Sequence, residues 1–137
     1  MKEEILAAFK HLGFDLEEAG EIGYRFQYEG WYFLLLEEED EDFINIALPE
    51  SFSKDGVGEQ SFYKVMNLVN TKLKYVKAYE VNDSLWLFYE REIIGEEDME
   101  KVIRRMIIHL ELGIQELMNI MADNDTYSVT TTDDNDN

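Results

Sequence analysis

The sequence contains no cysteine, which excludes disulfide staples, thiolate nucleophiles and cysteine-held metals at the outset. It has one proline, Pro49, so almost every backbone amide is free to donate. Positive charge is scarce: 12 lysines and arginines stand against 31 acids, for a net charge of −19. A chain so charged is repelled by phosphate backbones and anionic lipid surfaces, and it has no basic cluster to displace counterions. Nucleic acid and membranes are therefore not expected partners. Histidine occurs only at His11 and His109, and neither sits in a multi-ligand spacing such as H-E-x-x-H. Long apolar runs are missing too. The longest, Trp31 to Leu36, falls far short of the roughly 20 residues that span a bilayer. The opening stretch MKEEILAAFKHLGF carries Glu3 and Glu4 and no uninterrupted apolar core, unlike a secretion signal, so the expected location is cytoplasmic.

What is present suffices for one core: 137 residues, 45% of them hydrophobic and 13% aromatic, suit a single domain. Ile5, Phe9 and Leu12 fall at helical spacing and Gly13 follows, predicting a short helix over 2–12. Ile22, Tyr24, Phe26 and Tyr28 alternate with polar residues up to Glu29-Gly30, which predicts a strand and a tight two-residue turn. Trp31 to Leu36 returns as a strand apolar on both faces, and FINIAL over 43–48 gives a third, closed by Pro49. Residues 50–58 read as a loop, and Phe62, Val65, Met66 and Val69 predict a helix over 59–72. Residues 73–81 and 84–90 form a hairpin about Asn82-Asp83, and Gly95 leads into a long helix over 96–122. Residues 123–137 hold acids but no bases, with many Thr and Asn, the composition of a disordered acidic tail. The expected fold is thus one α+β domain over 1–122, ordered α-β-β-β-α-β-β-α, with a five-stranded antiparallel sheet packed by helices.

Two features bear on function. The first is the acid run Glu37 to Asp42, directly after the most apolar strand. Calcium loops space their ligands irregularly around a glycine, and neither this run nor Asp133-Asp134-Asn135-Asp136 does so. The run reads as a solvated turn that keeps a sticky strand soluble, or alternatively as a patch for a basic partner. Glu96, Glu97, Asp98 and Glu100 read as anions on the first turn of the long helix, where its dipole favours them. The second feature is an apolar surplus. Met99, Ile103, Met106, Leu110, Gly113, Leu117 and Ile120 form a stripe widened by Val102, Ile107, Ile114 and Met121. A helix over 96–122 is roughly 37–40 Å long, against about 20–23 Å for a strand of six or seven residues. One end is expected to overhang the sheet and need cover from the chain or from a second molecule. The strands also carry more aromatic residues than one sheet face can hide, and such leftover surface suits a peptide or another subunit.

Motifs for chemistry are weak. Ser51-Phe52-Ser53-Lys54 matches S-x-x-K in form but lacks the companion motifs, and Gly56-Val57-Gly58 lacks the third glycine of a dinucleotide loop. No catalytic, cofactor-binding or metal residues are expected, and no enzyme activity.

The element order, with its hairpin KYVKAYEVNDSLWLFYE and long last helix, resembles the type III secretion chaperones. It resembles still more the YbjN-like family of bacterial sensory transduction regulators that shares their fold. The resemblance spans residues 2–122. It implies a domain that commonly forms homodimers and binds other proteins without catalysis. In the secretion chaperones the middle helix lies at the dimer interface, which corresponds here to the Phe62 to Val69 segment. Phe62, Val65, Met66 and Val69 of that segment, with Leu117 and Met121 of the long helix's stripe, are the candidate partner-binding or dimer residues. The expected function is a homodimeric, chaperone- or regulator-like module that binds a client protein segment. Two alternatives stand beside it: an acidic decoy that mimics nucleic acid, and a small-molecule sensor with a pocket between sheet and helices.

Overall fold

The computed structural model describes the backbone of residues 2–135 and the side chains of residues 2–123. Helix α1 (Lys2–His11) ends at Gly13, whose φ of 92° is the left-handed conformation that closes a helix. Gly13 N–H donates to the Lys10 carbonyl and Phe14 N–H to that of Phe9, the paired bonds of a Schellman stop. Phe14 then packs its ring on Phe9, 5.7 Å between centroids.

A two-residue strand β1 (Glu17–Glu18) and one 3-10 turn lead into β2 (Gly23–Tyr28) and β3 (Trp31–Leu36). Glu29 and Gly30 connect them at φ 50° and 86°, the doubly positive turn whose twist matches that of paired strands. β4 (Phe43–Ser53), α2 (Glu59–Lys72), β5 (Val76–Val81), β6 (Ser84–Glu92) and α3 (Met99–Asn135) follow. The second tight turn is Asn82-Asp83, at φ 49° and 64°.

The strands form one antiparallel sheet in the order β1-β2-β3-β4-β6-β5. Six strands replace the expected five because Glu17 and Glu18 add to the outer edge of β2, a pairing too short to leave an alternating pattern. β4 also runs past Pro49, where a loop was expected. Between Leu48 and Phe52 its register against β6 slips, and Glu50 takes φ 50°. Proline is tolerated at such a bulge because no ladder bond is asked of it. β5 starts at Val76, three residues later than its alternation suggests.

All three helices lie on one face of the sheet. Phe9, Phe62, Ile103, Leu110 and Leu117 bury themselves against Phe26, Phe33, Ile46, Leu85 and Leu87 in one continuous core. The middle of the α3 stripe is covered by the chain itself: Ile103, Leu110 and Leu117 are 0% exposed and Ile120 is 2%, while Met99 and Met121 at its ends are partly buried. Both α1 and α2 pack against α3, so the cover expected to come from the chain or from a second molecule comes, along this stripe, from the chain. The helix begins at Met99, with Asp98 as its cap. Asp98 accepts from Lys101 N–H at 3.2 Å through its side chain and from Val102 N–H at 3.0 Å through its carbonyl. α3 continues to Asn135, into the segment expected as a tail. The side chains beyond Asp123 lie outside the described residues, and with them that expectation.

Candidate functional site

Among the described residues, no helix or strand lies on the face of the sheet opposite the helices. Strand registers place its side chains in rows. The middle row runs Glu17, Arg25, Leu34, Ala47, Phe88, Lys77 across all six strands. Its apolar centre is flanked by Tyr32 and Trp86–Tyr79 on one side and by Leu36, Asn45 and Glu90 on the other. Leu34, Ala47 and Phe88 are buried here, with Ala19, Leu36, Val81 and Trp86 partly buried around them. Cover comes from neighbouring side chains. Tyr79 lies flat on Phe88 with centroids 4.1 Å apart and planes 5° apart, and Trp86 stacks on the same ring at 6.0 Å. Tyr32 and Tyr79 remain 56% and 43% exposed, a large aromatic surface for water to cover. Arg25 sits over Tyr32 and Lys77 over Tyr79, at 5.5 and 6.0 Å.

The two buried side-chain atoms without a hydrogen-bond partner among the described residues are Asn45 Oδ1 and Trp86 Nε1. Both residues belong to this face by register. An unmade hydrogen bond of this kind costs about 1–3 kcal/mol, so the face is left short of polar satisfaction as well as cover.

The acid run borders this face. Glu37 turns towards α1 and pairs with Lys2 at 2.6 Å, whereas Glu38 turns onto the open face and accepts from Asn45 at 3.4 Å. The Asn45 amide also meets Glu90, which Lys77 holds at 3.3 Å. Partial burial pushes the Glu38 carboxyl above its ordinary value, and the nearby Glu90 carboxylate adds to the shift. A cavity of about 250 Å³ opens beside the run, floored by Ile5, Leu6, Tyr24 and Ile44 and walled by Glu37 to Glu41. Leu36 belongs to both this cavity and the open face. Among the described residues no group of His, Asp or Glu is arranged to hold a metal ion, and no helix is long and apolar enough to cross a membrane.

The candidates named from sequence lie elsewhere. Phe62, Val65, Val69 and Leu117 are at most 1% exposed, sealed between the helices and their own sheet. Met66 and Met121 are partly buried against the same core. Their helical spacing marks the inner faces of α2 and α3; the four sealed side chains offer a partner no contact in this fold, and only Met66 and Met121 keep some exposure. Exposed apolar residues on α3 are instead Ile108, Leu112 and Met118. Ile108 lines a shallow hollow with Leu12, Phe14 and Tyr28. The signal for the open face was in the sequence as the non-alternating strands β3 and β6. What the sequence lacked was the register that sorts their residues into faces.

Of the weaker motifs, Lys54 pairs with Glu80 at 2.6 Å and Asp83 at 3.4 Å, chiefly through Glu80, and is held well above its ordinary value. An ammonium so held is unfit as the general base of an S-x-x-K site, and Ser51 Oγ donates to the Leu48 carbonyl instead. Glu97 does not simply sit on a helix end: it accepts from Ile94 N–H at 2.9 Å and takes Arg91 in a two-oxygen clasp at 2.6 and 2.7 Å. His11 pairs with Glu100 at 2.8 Å across the α1–α3 junction. Neither models of known protein families nor curated proteins give a match to this chain.

Proposed function

We propose that this chain is a non-enzymatic protein-binding module of the YbjN-like, type III secretion chaperone-like kind. It acts as a homodimer and docks a client segment that is both apolar and basic on the open face of the sheet. The observation that carries the reading is that, among the described residues, the second face has no covering element yet holds Tyr32, Leu34, Leu36, Trp86, Phe88 and Tyr79. Apolar client residues would gain burial against these rings, and its cations would meet Glu38 and the acid run beside it. The exposed pair Ile108 and Leu112, one turn apart on α3, supplies a strip for self-association on a different side of the molecule.

The test uses an extended peptide alternating leucine and lysine, followed by Trp fluorescence and calorimetry. Tyr32→Ser with Tyr79→Ser removes two exposed rings and leaves the core between sheet and helices intact, although Phe88 loses the Tyr79 ring stacked on it, and lowers affinity about tenfold or more if these rings act as anchors. Unchanged affinity in that double variant defeats the reading. Binding that ignores both tyrosines, vanishes with added salt and depends on Glu37 to Asp42 would instead favour the acidic decoy. Light scattering at high protein concentration checks the homodimer. A strict monomer defeats that half, and a dimer lost in Ile108→Glu with Leu112→Glu supports it.

A further inference from the structure

On the helix side of the sheet, away from the open face, α3 carries Arg105 and His109 one turn apart. The His109 ring meets Tyr75 edge-on at 5.1 Å and 69° and meets Tyr89 at 5.9 Å. Tyr75 and Tyr89 stack in parallel at 5.7 Å and 10°. With Arg91, Arg105 and Glu90 these rings line a concavity of about 340 Å³.

The charge there runs against the rest of the molecule. The Glu90 carboxylate is engaged on the opposite sheet face by Lys77 and Asn45, and Arg91 is neutralised by Glu97. Arg105 has no ion pair among the described residues, and its neighbours at i±4 are Lys101 and His109 rather than acids. In a chain of net charge −19, Arg105 thus faces a hollow with no acid paired with it among the described residues. Burial, and then Arg105, pull the His109 imidazole below its ordinary value, so at neutral pH the ring is uncharged and can donate from one nitrogen. Burial pushes the Tyr89 phenol upwards, so it keeps its proton and also donates.

Tyr75 adds a second, independent sign. Its φ is 68°, and Val76 N–H donates back to the Lys74 carbonyl at 2.7 Å. This is a γ-turn of the positive-φ kind, rare and strained for a residue with a side chain. Strain of this sort persists where surroundings enforce it and gathers at ligand-binding positions. Here it holds a ring that is 67% exposed, backed by Tyr89 on one face and, among the described residues, with no second ring stacked on the other.

We propose that this corner binds a small organic anion bearing a planar ring. Its phosphate or carboxylate would sit on the Arg105 guanidinium, within reach of His109 and the Tyr89 hydroxyl, and its ring would stack on the face of Tyr75 away from Tyr89. Arginine recognises such anions through parallel N–H donors, and an exposed aromatic platform supplies the remaining contact. The site lies apart from the docking face, so either can fail without the other.

Nuclear magnetic resonance can follow the ring protons of the two histidines on the intact chain during titration with phenyl phosphate, benzoate, inorganic phosphate and phenol. The expected result is a saturable shift of His109 with phenyl phosphate or benzoate while His11, held by Glu100, stays still. Which of the two anions binds more tightly identifies the headgroup. Arg105→Gln lies on the surface and should weaken binding about tenfold or more, as loss of a charge-assisted contact predicts. Tyr75→Gly tolerates the positive φ and so keeps the turn while removing the ring; it should reduce phenyl phosphate to the affinity of inorganic phosphate. No saturable His109 shift with either aryl anion, or a shift unchanged in Arg105→Gln, overturns the proposal. Equal affinity for inorganic phosphate in the unaltered chain overturns the planar-ring part.

Discussion

Gly23 opens β2 at φ 138°, and a β-carbon built there would lie 2.0 Å from the Leu35 carbonyl oxygen across the strand pair. Neither backbone can retreat: Gly23 also accepts from Ala19 N–H, and Ile22 accepts from Glu37 N–H. Gly23→Ala should therefore cost about 3–5 kcal/mol, at the upper end for a single substitution, measured by urea unfolding. A loss under 1 kcal/mol would mean that the β1–β2 corner is not built this way. Nothing in the sequence singled out this glycine, because the clash comes from a carbonyl 12 residues on. Residues with purely local duties were legible. Glu29-Gly30, Asn82-Asp83 and Gly13 could be read from sequence because the turn each makes is decided by its own backbone preferences.

Elements show the same division. The helices, the two hairpins and the antiparallel sheet followed from periodicity, whereas the extension of β4 beyond Pro49 did not, since a bulge is defined by its partner strand. The protection of the edge strand was hidden as well. β5 ends the sheet, and Asn70 of α2 lays its amide along it, donating to the Ala78 carbonyl at 2.8 Å and accepting from Ala78 N–H at 2.7 Å. One side chain thus takes the place of a neighbouring strand at mid-edge and blocks pairing with another chain. Asn70→Ala should cost about 1–3 kcal/mol, the penalty for stranded backbone groups, and should raise the rate of aggregation on mild heating. Thermal unfolding together with light scattering checks both, and an Asn70→Ala chain as soluble and stable as the original would refute the edge role. The candidate docking face was legible only as a surplus of aromatics; its position needed the register of six strands.

At the scale of the whole molecule, the acids fall into two groups with opposite pH behaviour. Burial, and then the proximity of a second carboxylate, raise Glu38 beside Glu90 and Glu111 beside Glu29. For these the folded state takes up protons more readily than the unfolded one. The penalty they impose is absent below the ordinary carboxyl value and fully present above their raised values. Glu80, held down chiefly by Lys54, and Glu97, held down first by Ile94 N–H and then by Arg91, behave conversely. Their stabilisation is complete above the ordinary value and is lost as pH falls through their depressed ones. Thermal stability should thus rise as pH is lowered from 7 towards about 5, then fall at greater acidity. A melting temperature that declines steadily from pH 7 would contradict the carboxyl pairing at the open face and at the β2–β3 turn. Salt gives a second whole-molecule contrast: screening should tighten an apolar homodimer of like-charged protomers while weakening capture of a basic client.

The order of the strands has a consequence for synthesis. β6 is the last of the six strands made, yet it lies between β4 and β5, so a nascent chain that has emerged only as far as about residue 83 has no partner for one whole side of β4. Such a nascent chain holds an unfilled slot of 11-residue length in β4, open to any other extended polypeptide. Completion must wait until Glu92 has emerged. The finished protein should then form in a single late step, with no stably folded N-terminal portion before it.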